Sequence, residues 1–192
     1  MSIAALTHHA ANPSMVVLAE TDTGVLLTQS HLAPGQTKPL PGVVCVRLDA
    51  PLCFANAELF QDFISKEVVK EQRAREFHNH MPIRFVLVDM RGVNLIDLSG
   101  LQVLAELQHK LKQENIDILL GNLKYPVIKV LVAARSRTHL TVPPEKHLFI
   151  DIREAQDFAK GISSGDRSPT CFVRYKAQNW ASLGTPEHVH TI

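Results

Sequence analysis

Between residues 43 and 160, short apolar runs alternate with longer segments whose apolar positions recur every three or four residues. The first pattern predicts strands and the second predicts amphipathic helices. "VVCVRL", residues 43–48, places Val44, Val46 and Leu48 on one face and Arg47 on the other, as in a half-buried strand. "PLCFA" reads as a second short strand. Asn56 is suited to cap the next segment, and Glu58 suits the positive end of a helix. Leu59, Phe60, Phe63, Ile64 and Val68 then form an apolar stripe, with Lys66, Glu67, Lys70, Glu71 and Arg73 on the wet side.

"RFVLVDM", residues 84–90, lies between Pro82 and Gly92 and predicts a central strand covered on both faces. Leu101, Leu104, Leu107 and Leu111 mark the next helix, and "IDILLG" another strand. Pro126 can open a helix carrying Val127, Val130, Leu131 and Ala134. "HLFI" predicts a last short strand. Asp151 and Glu154 have capping-box spacing for a final helix, Ala155 and Phe158 form its contact stripe, and Gly161 can stop it. Such alternation predicts an α/β fold built from right-handed crossovers between parallel neighbours.

The flanks differ. Residues 1–41 are rich in Pro, Gly, Thr and Ser and predict a linker or loosely packed arm ahead of a domain spanning 42–161. "SSGDRSPT" opens a C-terminal tail, 162–192, expected to be flexible or loosely docked, with Phe172 and Trp180 as its docking side chains.

Charge and cysteine content narrow the chemistry. The 20 Lys and Arg nearly cancel the 19 Asp and Glu, so no chain-wide field exists to hold nucleic acid or an anionic membrane. The basic run at Arg73 and Arg75 reads as a solvated face. Cys45, Cys53 and Cys171 are odd in number and widely spaced, which fits a reducing compartment. The opening "MSIAALTHHAANPS" lacks the basic and apolar regions of a secretory signal and is read as a lead-in. No apolar run approaches the roughly 20 residues that cross a bilayer. His78 with His80, and His188 with His190, have no carboxylate or cysteine cluster to complete a metal site. No hydrolase elbow and no Walker-type phosphate loop occurs, so the chain is expected to be no enzyme and to hold no cofactor.

Two stretches carry a resemblance. "VVCVRLDAPLCFANAELF" is similar to the STAS domain in the form found at the cytosolic end of SulP-type anion permeases, where such a strand leads into F-A-N-A at the first helix. Phe54, Asn56 and Glu58 fall in that motif. "LIDLSGLQVLAEL" resembles the family's D-x-[ST]-G loop, here Asp97, Leu98, Ser99 and Gly100. The resemblance covers about residues 42–160. It implies a mixed, mainly parallel sheet under about four helices, and a non-catalytic regulatory domain of a transporter for sulfate or a related anion. The domain would lie at the inner face of the cell membrane, reach it only by tethering, and partner the transmembrane part of the parent permease and a cytosolic regulator or kinase. The family also contains stand-alone anti-sigma-factor antagonists, in which the residue matching Ser99 is phosphorylated. Cys53, where antagonists commonly carry an acidic residue, weighs against that second reading.

The loop residues have local meanings of their own. Asp97 or Ser99 can cap the helix, and Ser99 with Gln102 has capping-box spacing. A hydroxyl at a helix start also suits a phosphate, since the macrodipole favours an anion there. Gly100 permits close approach of helix and strand. Asn122, after the third parallel strand, is expected at the same end of the sheet and is assigned to the same loop cluster, where a turn residue is the simpler reading.

Overall fold

The computed structural model describes residues 13–28, 40–137, 140 and 142–161. Five strands form one sheet: β1 (Met15–Glu20), β2 (Leu26–Thr28), β3 (Val43–Leu48), β4 (Phe85–Asp89) and β5 (Asp117–Gly121), in the order β2-β1-β3-β4-β5. β3, β4 and β5 run parallel, with Val44 opposite Val86 and Val86 opposite Ile118. The helices are α1 (Ala57–Phe77), α2 (Leu98–Gln113), α3 (Tyr125–Arg137) and α4 (Ile152–Ala159), and Glu145–His147 form a single 3₁₀ turn. The α/β expectation of a mixed, mainly parallel sheet with four helices is therefore met.

The core divides by strand parity. Val44, Val46, Leu48, Val86, Val88, Ile118 and Leu120 point to the face covered by α1, α2 and α3, where Phe60, Ile64, Leu104, Leu107 and Leu131 fill the interface. Val43, Cys45, Leu87 and Leu119 point to the other face, against Phe149 and the Ile152 and Ala155 side of α4. β3 is consequently buried on both faces rather than one: Val43 and Cys45 belong to the second cluster, with Leu18 of the neighbouring β1 beside Cys45. Burial also pushes the Cys45 thiol far above its ordinary range, with Glu20 and Asp89 adding to the rise.

The expectation of an arm over 1–41 fails for its middle. "MVVLAE" pairs antiparallel with β3, Met15 opposite Leu48, and then turns at Thr21–Val25 to pair with β2. Gly24 takes the left-handed conformation the turn requires, at φ 78°. Its partner strand is distant in sequence and is carried on the other side of the Pro- and Gly-rich stretch, so local composition conceals the pairing. Residues 1–12 and 29–39 lie outside the described set, as does the tail with Phe172, Trp180, His188 and His190.

Three smaller expectations also change. "PLCFA" is a turn and no strand, with one isolated parallel bridge between Leu52 and Ile96 outside the sheet. "HLFI" contributes one bridge, Leu148 to Leu120, after the 3₁₀ turn, and forms no strand. Arg75 is buried, not solvated: its guanidinium donates to the carbonyls of Leu40, Val43 and Met81 at 3.0, 3.3 and 3.2 Å and to Glu71 at 2.9 Å. One side chain thereby ties the end of α1 to both segments that lead into parallel strands.

Candidate functional site

The carboxyl ends of β3, β4 and β5 gather the loops 49–56, 90–97 and 122–124 at one end of the molecule, the position where parallel sheets collect their sites. Backbone bonds join the first two loops: the Leu52 amide donates to the Leu95 carbonyl at 3.0 Å, and the Asp97 amide donates to the Leu52 carbonyl at 3.2 Å.

Asp97 is the cap of α2. Its Oδ1 accepts from the Gly100 amide at 2.9 Å, and its Oδ2 accepts from the Phe54 amide at 3.0 Å. One carboxylate thus satisfies an orphan amide of the helix and anchors the Phe54 turn. Gly100 is required by contact: a Cβ there would lie 2.5 Å from the Leu52 carbonyl oxygen and 3.0 Å from the Leu52 Cγ and the Ile96 Cγ2. Asn56 sits at the start of α1 but does not cap it. Its buried amide instead accepts from the Cys53 amide at 3.1 Å and donates to the Pro51 carbonyl at 2.8 Å, closing the turn that presents Phe54. Glu58 lies in the first turn of α1, exposed, where the helix dipole favours it.

This framework pushes apolar side chains outward. Phe54 is 79 % exposed, Leu95 58 % and Leu98 60 %, while Ile96 between the last two is buried. Three large apolar groups held outward on a hydrogen-bonded frame are unlike scattered surface apolar residues. Tyr125, at the start of α3, is also exposed, with the Lys129 ammonium 4.5 Å from its ring centre, and Lys124 bonds Asn94 across the loops. Ser99 is the second residue of α2, half-exposed, and its hydroxyl makes no hydrogen bond among the described residues. The capping role it shared with Asp97 in the sequence reading belongs to Asp97 alone.

Asn122 reaches the same end but is turned inward. In the left-handed conformation, its amide donates to Asp89 Oδ1 at 2.8 Å and accepts from the Ile152 amide at 3.2 Å. It therefore joins β4, β5 and α4, and its side chain is committed within the fold. Leu95 is the loop residue that sequence reasoning did not single out, since loop residues carry no period that tells which side chain faces outward. The i, i+3 spacing of Leu95 and Leu98 across the capping Asp97 is the signal that could have exposed it.

Among the described residues no three metal-ligating side chains converge, and His78 and His80 are exposed on the loop after α1 with ring centres 5.7 Å apart. No helix of the described residues is long and apolar enough to cross a membrane.

A family model described as the STAS domain matches residues 36–154. Sulfate transporter 3.1 of Arabidopsis thaliana is 24 % identical over 135 residues, 70 % of this chain and 20 % of the transporter. Sulfate transporter 2.1 of the same plant is 30 % identical over 145 residues, 74 % of this chain and 20 % of its own length. The chain thus spans about one-fifth of these curated relatives. The structure of the murine anion transporter Slc26a9 in its inward-facing state superposes with a TM-score of 0.68 at 22 % identity, covering 83 % of this chain and 24 % of that one, and shows a shared fold.

Proposed function

Because the chain belongs to the STAS domain family, we propose that it is the regulatory, non-catalytic domain of a SulP-type transporter for sulfate or a related anion, working at the cytosolic face of the membrane. It acts by docking a protein surface around Asp97–Gly100. One observation carries this reading: Phe54, Leu95 and Leu98 are displayed to solvent around a loop that Asp97 and Gly100 hold in place. Exposed apolar groups on a pre-organised frame lose little freedom on binding, so burial of three such side chains translates into affinity. The sulfate transporters among the curated relatives support the transporter context. The docked partner is the transmembrane part of the permease or a cytosolic regulator.

Ser99 supplies the means of control. Its hydroxyl makes no hydrogen bond among the described residues and stands where the first helical amides favour an anion, so the fold suits phosphorylation by a kinase. It would add about 1.5 to 2 negative charges inside the apolar surface and near Asp97, which opposes docking. The same site would serve a stand-alone antagonist, and Ser99 is the observation that favours that second reading.

The test is uptake of labelled sulfate by the source cells after Phe54→Ser and Leu98→Asp are introduced together. Altered uptake at unchanged protein level and melting temperature is expected. Wild-type uptake of sulfate and of related anions would remove the transporter reading.

A further inference from the structure

At the opposite end of the sheet a cleft of about 350 Å³ opens between the start of β4 and the end of α4. Pro41, Met81, Arg84, Phe85, Phe158 and Gly161 line it. Phe85 and Phe158 meet edge to face with centres 5.9 Å apart and form an apolar floor. The Arg84 guanidinium stands 5.6 Å from the centre of the Phe85 ring, and Met81 is 53 % exposed on the wall. An aromatic and thioether surface beside a guanidinium suits an aromatic side chain, which gains from apolar contact, sulfur contact and cation–π attraction together.

The chain itself carries such groups in the segment that follows the cleft wall in sequence. Gly161 forms part of the cleft wall and turns the backbone with φ 66°. The 31 residues that follow it, 162–192, carry three aromatics within nine positions, Phe172, Tyr175 and Trp180. The other candidate segments do not match. Residues 1–12 lead into β1 at Met15, which pairs with Leu48 at the far end of the parallel strands, and residues 29–39 contain no aromatic. From Gly161 to Phe172 the backbone can span up to roughly 36 Å, so reach is no constraint. A short tether also gives an intramolecular contact an effective concentration on the order of millimolar.

We propose that the stretch Phe172–Trp180 of this chain folds back into the Phe85–Phe158–Met81 cleft, placing Trp180 against that aromatic floor. The contact lies at the opposite end of the sheet from Asp97, so it completes the domain while leaving the docking surface free, and it stands or falls separately from the proposed function. Trp180 is the single tryptophan of the chain and reports directly. In the full-length chain its emission is expected to lie to the blue of N-acetyltryptophanamide in the same buffer, at a position unchanged by tenfold dilution. Met81→Glu, on an exposed wall residue, should return the emission to the free value with the circular dichroism intact, and Phe158→Ala should do the same. Emission already at the free value would overturn the proposal, as would a blue shift that survives Met81→Glu or one that disappears on dilution, the last assigning the cleft to a second copy.

Discussion

Replacing Gly100 by alanine tests whether the loop is held as the structure has it. The added methyl would meet the Leu52 carbonyl oxygen at 2.5 Å, with the Leu52 Cγ and Ile96 Cγ2 both at 3.0 Å. The closest of these atoms is backbone, and that carbonyl also accepts from the Asp97 amide, so the obstacle cannot rotate aside. Overpacking of this kind costs about 1 to 3 kcal/mol. Alanine's helical preference over glycine returns up to about 1 kcal/mol, less in a first turn. A net loss of roughly 1 to 2 kcal/mol follows, and for a domain of this size each kcal/mol lowers the melting temperature by about 2 to 4 °C. Urea denaturation followed by circular dichroism should give a lower midpoint with an unchanged slope. Ser99→Ala, one residue earlier and with no hydrogen bond to lose among the described residues, should stay within about 0.5 kcal/mol of wild type. A Gly100→Ala protein as stable as wild type would refute the close approach of α2 to the Leu52 turn.

Other expectations concern charge and capping. Asp97→Ala removes the α2 cap and the Phe54 anchor together and should cost about 1 to 2 kcal/mol in chemical denaturation, with faster amide exchange at Phe54 and Gly100. Arg75→Met removes the buried guanidinium that donates to the Leu40, Val43 and Met81 carbonyls, of which Leu40 keeps the Val43 amide, and should cost about 3 kcal/mol in the same assay, a loss no solvated arginine would produce. His147 has its pKa lowered, first by burial, with Lys146 and Lys112 adding to the drop against the opposing pull of Asp117 and the Ile118 backbone. The unfolded chain therefore takes up a proton that the folded chain refuses. Stability is full above the ordinary histidine range and falls as pH drops through about 6.5, by at most about 1.4 kcal/mol per pH unit. Melting curves between pH 8 and 5 should show this slope and show less of it in His147→Leu.

How much was legible from sequence depended on how local the cause was. The parallel strands and the four helices follow from runs and periods within single segments, as with "RFVLVDM" and the leucines of α2. The β1–β2 pair did not, because nothing local distinguishes an edge strand from an apolar stretch in an arm until β3 lies beside it. Arg75 reads as surface by composition, and only the arrival of three carbonyls from other segments makes its burial favourable. At the site, Asp97, Ser99 and Gly100 were found through a motif, and the geometry then divided their work into cap, free hydroxyl and contact point. Asn56 and Asn122 read locally as a cap and a turn residue, yet the bonds of each amide were fixed by partners up to 33 residues away. Leu95 was hidden because a loop has no period from which an outward-facing leucine can be told.

The proposed function requires a protein to dock on the Phe54–Leu95–Leu98 surface. The most direct measurement is photo-cross-linking in the source cells from benzoylphenylalanine placed at position 98, against the same group at Val69, which is exposed on α1. A discrete cross-linked product from position 98 that Phe54→Ser abolishes, absent from position 69, is predicted. Equal products from both positions, or none from position 98, would contradict it.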